Sequence, residues 1–287
     1  MSSSLLPRGL QVSSNEAQSG EGPEAVTLEK LVGPTTYPDR PPRQIWQPVS
    51  TVPKYNLPPL IVGTLKTTTV AILFAAPLAI LAAILSSEFA PKWAREIIKP
   101  TIELLAGIPS VVLGFFALIV VASWLQATLG LASRLNALNA GLALGLAVIP
   151  IIFTVAEDAL TAVPRSYREA SYALGANHWE TAVKVVLPAA LPGIFAGIVL
   201  GFGRAVGETM IVLMASGNAA ITSWSITDSA RTLSATVAAE LGEVVFGSPH
   251  YRVLFLIGIL LFAFTFAVNL SGEVYVRRLK RRLEGAS

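Results

Sequence analysis

Six stretches of this chain run for 19 to 30 residues without one charged side chain: 67–87, 104–133, 135–156, 185–203, 209–227 and 253–272. A helix needs roughly 20 apolar residues to cross a bilayer. Only Arg204 to Glu208 separate the fourth run from the fifth, and the apolar signal continues from Ala189 to Ser216, which predicts one helix carrying two charges. Five spans are expected, near 63–87, 104–127, 137–156, 189–216 and 253–275. One such run could be a buried helix of a soluble core. Five of them, in a chain with 14% charged residues where a soluble domain carries about 25%, predict an all-α fold, a polytopic transmembrane helix bundle. The chain has no cysteine, which excludes disulfides and thiolate metal sites.

Residues 1–58 form a polar first segment, with Pro38, Pro41, Pro42, Pro48, Pro53 and Pro58 in its second half. Such a stretch cannot bury enough apolar surface to fold alone. Met1 is not followed by the apolar run of a signal peptide. Basic residues orient the remainder, 59–280, because they collect on the cytoplasmic side. The C-terminal run Arg277-Arg278-Leu279-Lys280-Arg281-Arg282 is expected there. Alternation then puts 88–103 (Lys92, Arg95, Lys99) and 157–188 (Arg165, Arg168, Lys184) inside, and Arg134, Arg231 and Arg252 outside. Eleven basic residues against three make the arrangement self-consistent. Residues 1–58 then lie outside the cytoplasm. A polar tail crosses poorly without a hydrophobic segment ahead of it, so an upstream helix in a longer protein is expected; an unusually translocated tail is the alternative.

The inner loop 157–188 contains Glu169-Ala170-Ser171, then Gly175, then Val185-Val186-Leu187-Pro188. This resembles the EAA signature of ABC importer permeases: EAA, three residues, Gly, nine residues, Ile, any residue, Leu-Pro. Ser171 replaces the second Ala and Val185 the Ile. Physically, the pattern describes a short amphipathic surface helix broken at Gly175, where the chain turns as a side chain would not allow, with Pro188 near the start of the next span. An ordinary interfacial loop is the alternative. The resemblance implies that Glu169, Ala170, Gly175, Leu187 and Pro188 couple the loop to a separate ATPase.

Further segments resemble phosphate permeases of the Pst system. They are Phe202-Gly203-Arg204-Ala205-Val206-Gly207-Glu208-Thr209, Glu103-Leu104-Leu105-Ala106-Gly107-Ile108-Pro109-Ser110, and Gly63-Thr64-Leu65 with Thr67 and Thr68. The outer stretch Thr232 to Asn269 is similar to the PstC type of subunit more than to PstA. The family's subunits have six helices, of which the first would be absent from this chain. The resemblance implies a permease for inorganic phosphate in the bacterial inner membrane. It implies as partners a PstA-like permease, PstB-like ATPase subunits and an extracytoplasmic PstS-like binding protein, with membrane lipid around the bundle and no nucleic acid. The chain has no Gly-Lys pair and so no P-loop; ATP and Mg belong to the ATPase, with no cofactor in this chain. A permease for molybdate, sulfate or an amino acid is the alternative.

Arg204 and Glu208 stand four apart, on one face of the predicted helix and near mid-membrane. Charges there mark functional sites by default, and the guanidinium fork suits an oxyanion, so both residues are candidates for the substrate pathway. A structural ion pair would use the same residues. Gly201, Gly203 and Gly207 would admit a neighbouring backbone. Glu103 reads as an interfacial charge, Glu157 and Asp158 as water-facing, and His178 and His250 as isolated, without a metal site. An intramembrane hydrolase using Glu157, Asp158 or His178 finds no HExxH or nucleophile–base spacing. Pro77 and Pro109 are expected to kink their helices.

The charge asymmetry predicts that a cysteine at Ser19 reacts with a membrane-impermeant reagent before the inner membrane is lysed. Protection until lysis contradicts the orientation.

Overall fold

The computed structural model describes residues 26–37, 40–50 and 53–284. Five of its helices are long and apolar enough to cross a membrane: span 1 (Pro58–Phe89), span 2 (Ser110–Leu129), span 3 (Ala137–Thr161), span 4 (His178–Gly207) and span 5 (Pro249–Arg278, within a helix continuing to Glu284). Spans 1, 2 and 4 each contain one π-helical turn, at Leu85–Phe89, Ala117–Val121 and Ala182–Val186. Span 2 starts six residues later than the charge count suggests. The helix Lys92–Ala106 precedes it, amphipathic and unburied, and the chain breaks at Gly107 to Pro109. Pro109 therefore caps a helix rather than kinking one, while Pro77 lies inside span 1.

The core is a seam of small residues. Ala71, Ala75, Ala79 and Ala83 of span 1 are fully buried in one cluster with Ala140, Ala143 and Leu144 of span 3. Spans 3 and 4 cross on Gly193, Gly197 and Gly201, against Ala159, Val155 and Ile152 respectively. Small residues at every fourth position let helices approach closely where no hydrophobic effect drives them together. Gly203 faces the side chain of Asn269 in span 5, and a Cβ on Gly207 would meet nothing; of the three glycines expected to admit a neighbouring backbone, Gly201 and Gly203 admit side chains and Gly207 neither.

The opposite ends of the bundle differ. The end bearing Arg165, Arg168 and Arg277 is here called inner. At the outer end the segment before span 1 is folded, but against other elements. A helix Leu28–Val32 precedes two antiparallel ladders, β1 (Thr35–Tyr37) with β2 (Arg40–Arg43) and β3 (Trp46–Gln47) with β4 (Lys54–Tyr55). Asn56 holds them: its Oδ1 accepts from Ile45 N at 2.7 Å and Thr35 Oγ1 at 3.1 Å, and its Nδ2 donates to the Lys30 and Gly33 carbonyls at 2.8 Å. Leu31, Trp46, Tyr55 and Leu57 then pack on Leu60, Leu233, Val253, Leu254 and Ile257. Glu240 accepts from Trp46 Nε1 at 3.0 Å, pairs with Arg231, and lies 2.9 Å from His250 Nε2. His250, isolated in sequence, is thus engaged in space. Burial, and then the neighbouring Glu240 carboxylate, push the Tyr55 phenol above its ordinary range. The expectation about Ser19 lies outside the described residues.

Span 1 is locked to this outer cap. A Cβ at Gly63 would collide with the Arg231 backbone carbonyl, and Thr64 Oγ1 accepts from Leu233 N at 3.0 Å. Buried Lys66 donates to the Ser223 and Ser225 carbonyls at 3.0 and 2.8 Å. Because the obstacle at Gly63 is backbone, no rotamer change relieves it. Gly63→Ala is expected to destabilise the purified protein by about 1–3 kcal/mol, the range for overpacking. Gly258→Ala, in open space, should stay within roughly 0.5 kcal/mol of wild type. Thermal unfolding in detergent compares them, and equal midpoints contradict the locked crossing.

Candidate coupling surface and substrate pathway

The loop between spans 3 and 4 is narrower than 157–188. Span 3 continues to Thr161, and span 4 begins at His178. Asn177 and Glu180 form a reciprocal capping box there: Glu180 N donates to Asn177 Oδ1 at 2.8 Å and Asn177 N to Glu180 Oε2 at 3.1 Å. Satisfying two free N–H groups at one helix end in this way fixes the start of the helix firmly. Between the spans lies the amphipathic loop helix Arg165–Ala173.

Glu169, Ala170 and Gly175 are exposed, as the motif requires of a docking surface. Gly175 has φ +84°, and a Cβ there would meet nothing. Its glycine is needed for the left-handed turn, not for space. Leu187 and Pro188 are not on this surface. They lie ten residues into span 4, with Leu187 packed on the core and Pro188 just past the π turn. Proline lacks the N–H for a helical bond, and a π turn is one way a helix absorbs that loss. Ser171 is buried, its hydroxyl 2.9 Å from Thr181 Oγ1. The pair pins the loop helix to span 4, a role that the substitution for Ala did not signal. A groove of about 690 Å³ runs beside the loop, lined by Tyr167, Ala170, Leu174, Gly175, Glu180 and Val185 among others. Leu174 is 90% exposed and Trp179 62%.

Glu157 and Asp158 sit in the last turns of span 3. Glu157 is buried and 2.8 Å from Lys99 Nζ, while exposed Asp158 is 2.9 Å from the same nitrogen. Only Asp158 faces water as expected. Its hydrogen bond, and then that of Glu157, hold the Lys99 ammonium above its ordinary range. His178 is bound to other partners, Tyr172 and the Glu88 carbonyl. Among the described residues no group of three His, Asp or Glu side chains could hold a metal. Glu103 is exposed on the helix Lys92–Ala106.

The second candidate pair departs from its prediction. Span 4 ends at Gly207, Glu208 is extended (φ −67°, ψ 132°), and a separate helix runs from Met210 to Ala215. Arg204 and Glu208 are therefore not on one helical face, and no ion pair joins them. Arg204 is exposed on this chain, with no hydrogen bond or ion pair among the described residues; Glu208 is half-buried. Gly201 packs on Val148 and Ile152, in the middle of span 3, and Arg204 lies three residues on, about 4.5 Å. Non-helical backbone at such depth must find partners. Buried Ser234, from the outer helix Leu233–Glu240, donates to the Glu208 carbonyl at 2.8 Å. Exposed Asn269 lies at the same level, beside Gly203. A lone amide inside the charge-free run 253–272 was the available signal for it.

A bundle with a middle break and an exposed loop on one end can be compared with known proteins. Residues 75–285 match the family model described as "Binding-protein-dependent transport system inner membrane component". The chain is 38% identical over 221 residues to the "Probable ABC transporter permease protein YqgH" of Bacillus subtilis (strain 168), covering 77% of this chain and 72% of that one. It is 35% identical over 257 residues to the "Phosphate transport system permease protein PstC" of Xylella fastidiosa (strain 9a5c), covering 83% and 78%. The fold is similar to the inward-facing MetNI methionine ABC transporter, with a TM-score of 0.59 at 21% identity over 77% of this chain and 95% of that one. With the match running through the loop, the break and the C-terminal span alike, this multi-pass membrane chain belongs to the family of inner membrane components of binding-protein-dependent transport systems.

Proposed function

We propose that this chain forms one half of the path by which an ATP-driven importer moves inorganic phosphate inward. The observation that carries the reading is Arg204: a cation without a partner among the described residues, at the middle level of the bundle, next to the break after span 4. A charge in hydrocarbon is costly and persists where it lines a cavity or serves a ligand. Half-helices meeting at mid-depth are how transporters build ion sites. Arg204 offers a planar fork of donors matched to a phosphate oxyanion. Because Glu208 does not hold it in this conformation, an arriving anion need not displace a standing pair. Glu208 can take up the guanidinium once the anion leaves, which keeps binding weak enough for release. The phosphate permeases among the relatives support the choice of solute.

The exposed side of Arg204 faces a second, PstA-like permease subunit. The exposed loop, with Leu174 and Gly175 at its tip, docks on PstB-like ATPase subunits that hold ATP and Mg. A PstS-like binding protein delivers phosphate to the outer cap, and the C-terminus is cytoplasmic. This chain itself hydrolyses nothing.

Arg204→Gln is expected to lower phosphate uptake per assembled complex about 10- to 100-fold, the loss of one charge-assisted fork, with the membrane protein level unchanged. Arg204→Lys should fall between that variant and wild type. Labelled phosphate uptake and immunoblotted protein level are read on the same membranes. Normal uptake in Arg204→Gln ends the pathway role, and uptake of sulfate or molybdate in preference to phosphate by wild type ends the phosphate assignment.

A further inference from the structure

Three helix ends meet on one guanidinium at the inner side. Arg168 Nη2 donates to Glu88 Oε1 at 2.7 Å and Nε to Oε2 at 3.3 Å. The same side chain donates to the Val163 carbonyl at 2.7 Å and the Leu160 carbonyl at 3.1 Å. Arg168 belongs to the loop helix Arg165–Ala173 and Glu88 to the π turn that closes span 1, and Leu160 is in the last turn of span 3. The Glu88 carboxylate is only 4% exposed. A two-bond Arg–carboxylate pair removed from water fixes geometry as well as distance.

A second tie runs beside it. His178 Nε2 lies 2.7 Å from the Glu88 carbonyl oxygen, and Nδ1 lies 2.7 Å from the Tyr172 hydroxyl. A carbonyl can only accept, so Nε2 carries a proton and donates to it. His178 opens span 4, and Tyr172 is on the loop helix. The Phe89 ring packs on His178 and Trp179.

The loop helix is joined by the chain itself to spans 3 and 4 only. Span 1 lies eighty residues away in sequence. Among the described residues, the hydrogen bonds that join the loop helix to span 1 are those of Arg168 to Glu88, and His178, at the start of span 4, adds one to the Glu88 carbonyl. Of the groove's lining, Tyr167, Ala170 and Ser171 belong to the same helix and the rest to the turn after it and the start of span 4, whereas Arg168 is turned to the bundle and is not among them.

We propose that Arg168, by its grip on Glu88, is the positioning residue through which displacement of the loop helix is passed to span 1, so that spans 1, 3 and 4 move as one body when the ATPase works. The proposal rests on the reading of the loop as the ATPase dock. A π turn at Leu85–Phe89 gives the end of span 1 an adjustable seat, as π turns at functional sites do.

The test uses the complete transporter in proteoliposomes and reads ATP hydrolysed per phosphate imported, for wild type, Glu88→Gln, Arg168→Gln, both together, and Arg168→Lys. Each single Gln change should raise the ratio at least about fivefold, a modest coupling energy, and the double change should raise it no further than either alone. Arg168→Lys, which keeps the charge without the fork, should fall between. An assembled complex whose ratio is unchanged in the single variants overturns the proposal. Loss of the complex from the membrane in both Glu88→Gln and Arg168→Lys makes the pair a folding element and overturns it equally. A wild-type complex that spends ATP without moving phosphate sinks the transport reading, and this one with it.

Discussion

In hydrocarbon there is no water to complete the bonding of a polar group, and that single constraint decides where every polar group in this chain lies. Among the described residues several buried ones are gathered at three levels and bound there, while Thr68, Ser86, Asn139 and Asn218 each keep one buried side-chain oxygen without a partner. The outer level holds Asn56, Lys66 and Glu240, which knit the segment before span 1, the first span and the outer loop into one cap. The middle level holds the break after Gly207, where the Glu208 carbonyl accepts from Ser234 reaching down from that cap. The inner level holds Arg168 with Glu88 and Lys99 with Glu157. Between these levels the helices pack through small alanines and glycines against Val148, Ile152, Phe153 and Ile194, a close apolar contact.

Span 4 connects the levels that matter for transport. It begins at His178, in the inner network, and ends at Gly207, three residues past Arg204. A helix of 30 residues is about 45 Å long, so a small rotation at its inner end is carried to the neighbourhood of Arg204. The loop helix is pinned to that inner end by Ser171 and Thr181. The outer cap in turn holds the far side of the break through Ser234. Under the proposed function, Arg204, unpartnered among the described residues, stands between a part driven from inside and a part held from outside, an arrangement suited to alternating access.

Span number and order were legible because charges are excluded from hydrocarbon and their gaps can be counted. Helix ends were less so. Composition stays apolar from 209 to 216, so nothing local marks Gly207 as an end; the partner that stabilises the break, Ser234, lies 26 residues downstream. The pairing assumed for Arg204 and Glu208 failed with that helix. The start of span 4 was readable in retrospect from Asn177-His178-Trp179-Glu180, a capping box that the motif's spacing overshadowed. Leu187 and Pro188 belong to the motif in sequence but to the bundle in space. Glu88 and Lys66 looked like mere boundaries of a charge-free run. Their roles depend on Arg168 and on the Ser223 and Ser225 carbonyls, contacts between distant parts of the chain that no periodicity encodes.

The account stands or falls on what meets the exposed loop. A photo-cross-linking residue in place of Leu174, 90% exposed, can be activated in native membranes, with the same group in place of Trp224, 68% exposed on the outer loop, as the control. The account predicts that Leu174 captures a soluble subunit identified by mass spectrometry as a P-loop ATPase, and that Trp224 does not. Capture of that ATPase from Trp224, or only of lipid from Leu174, would contradict it.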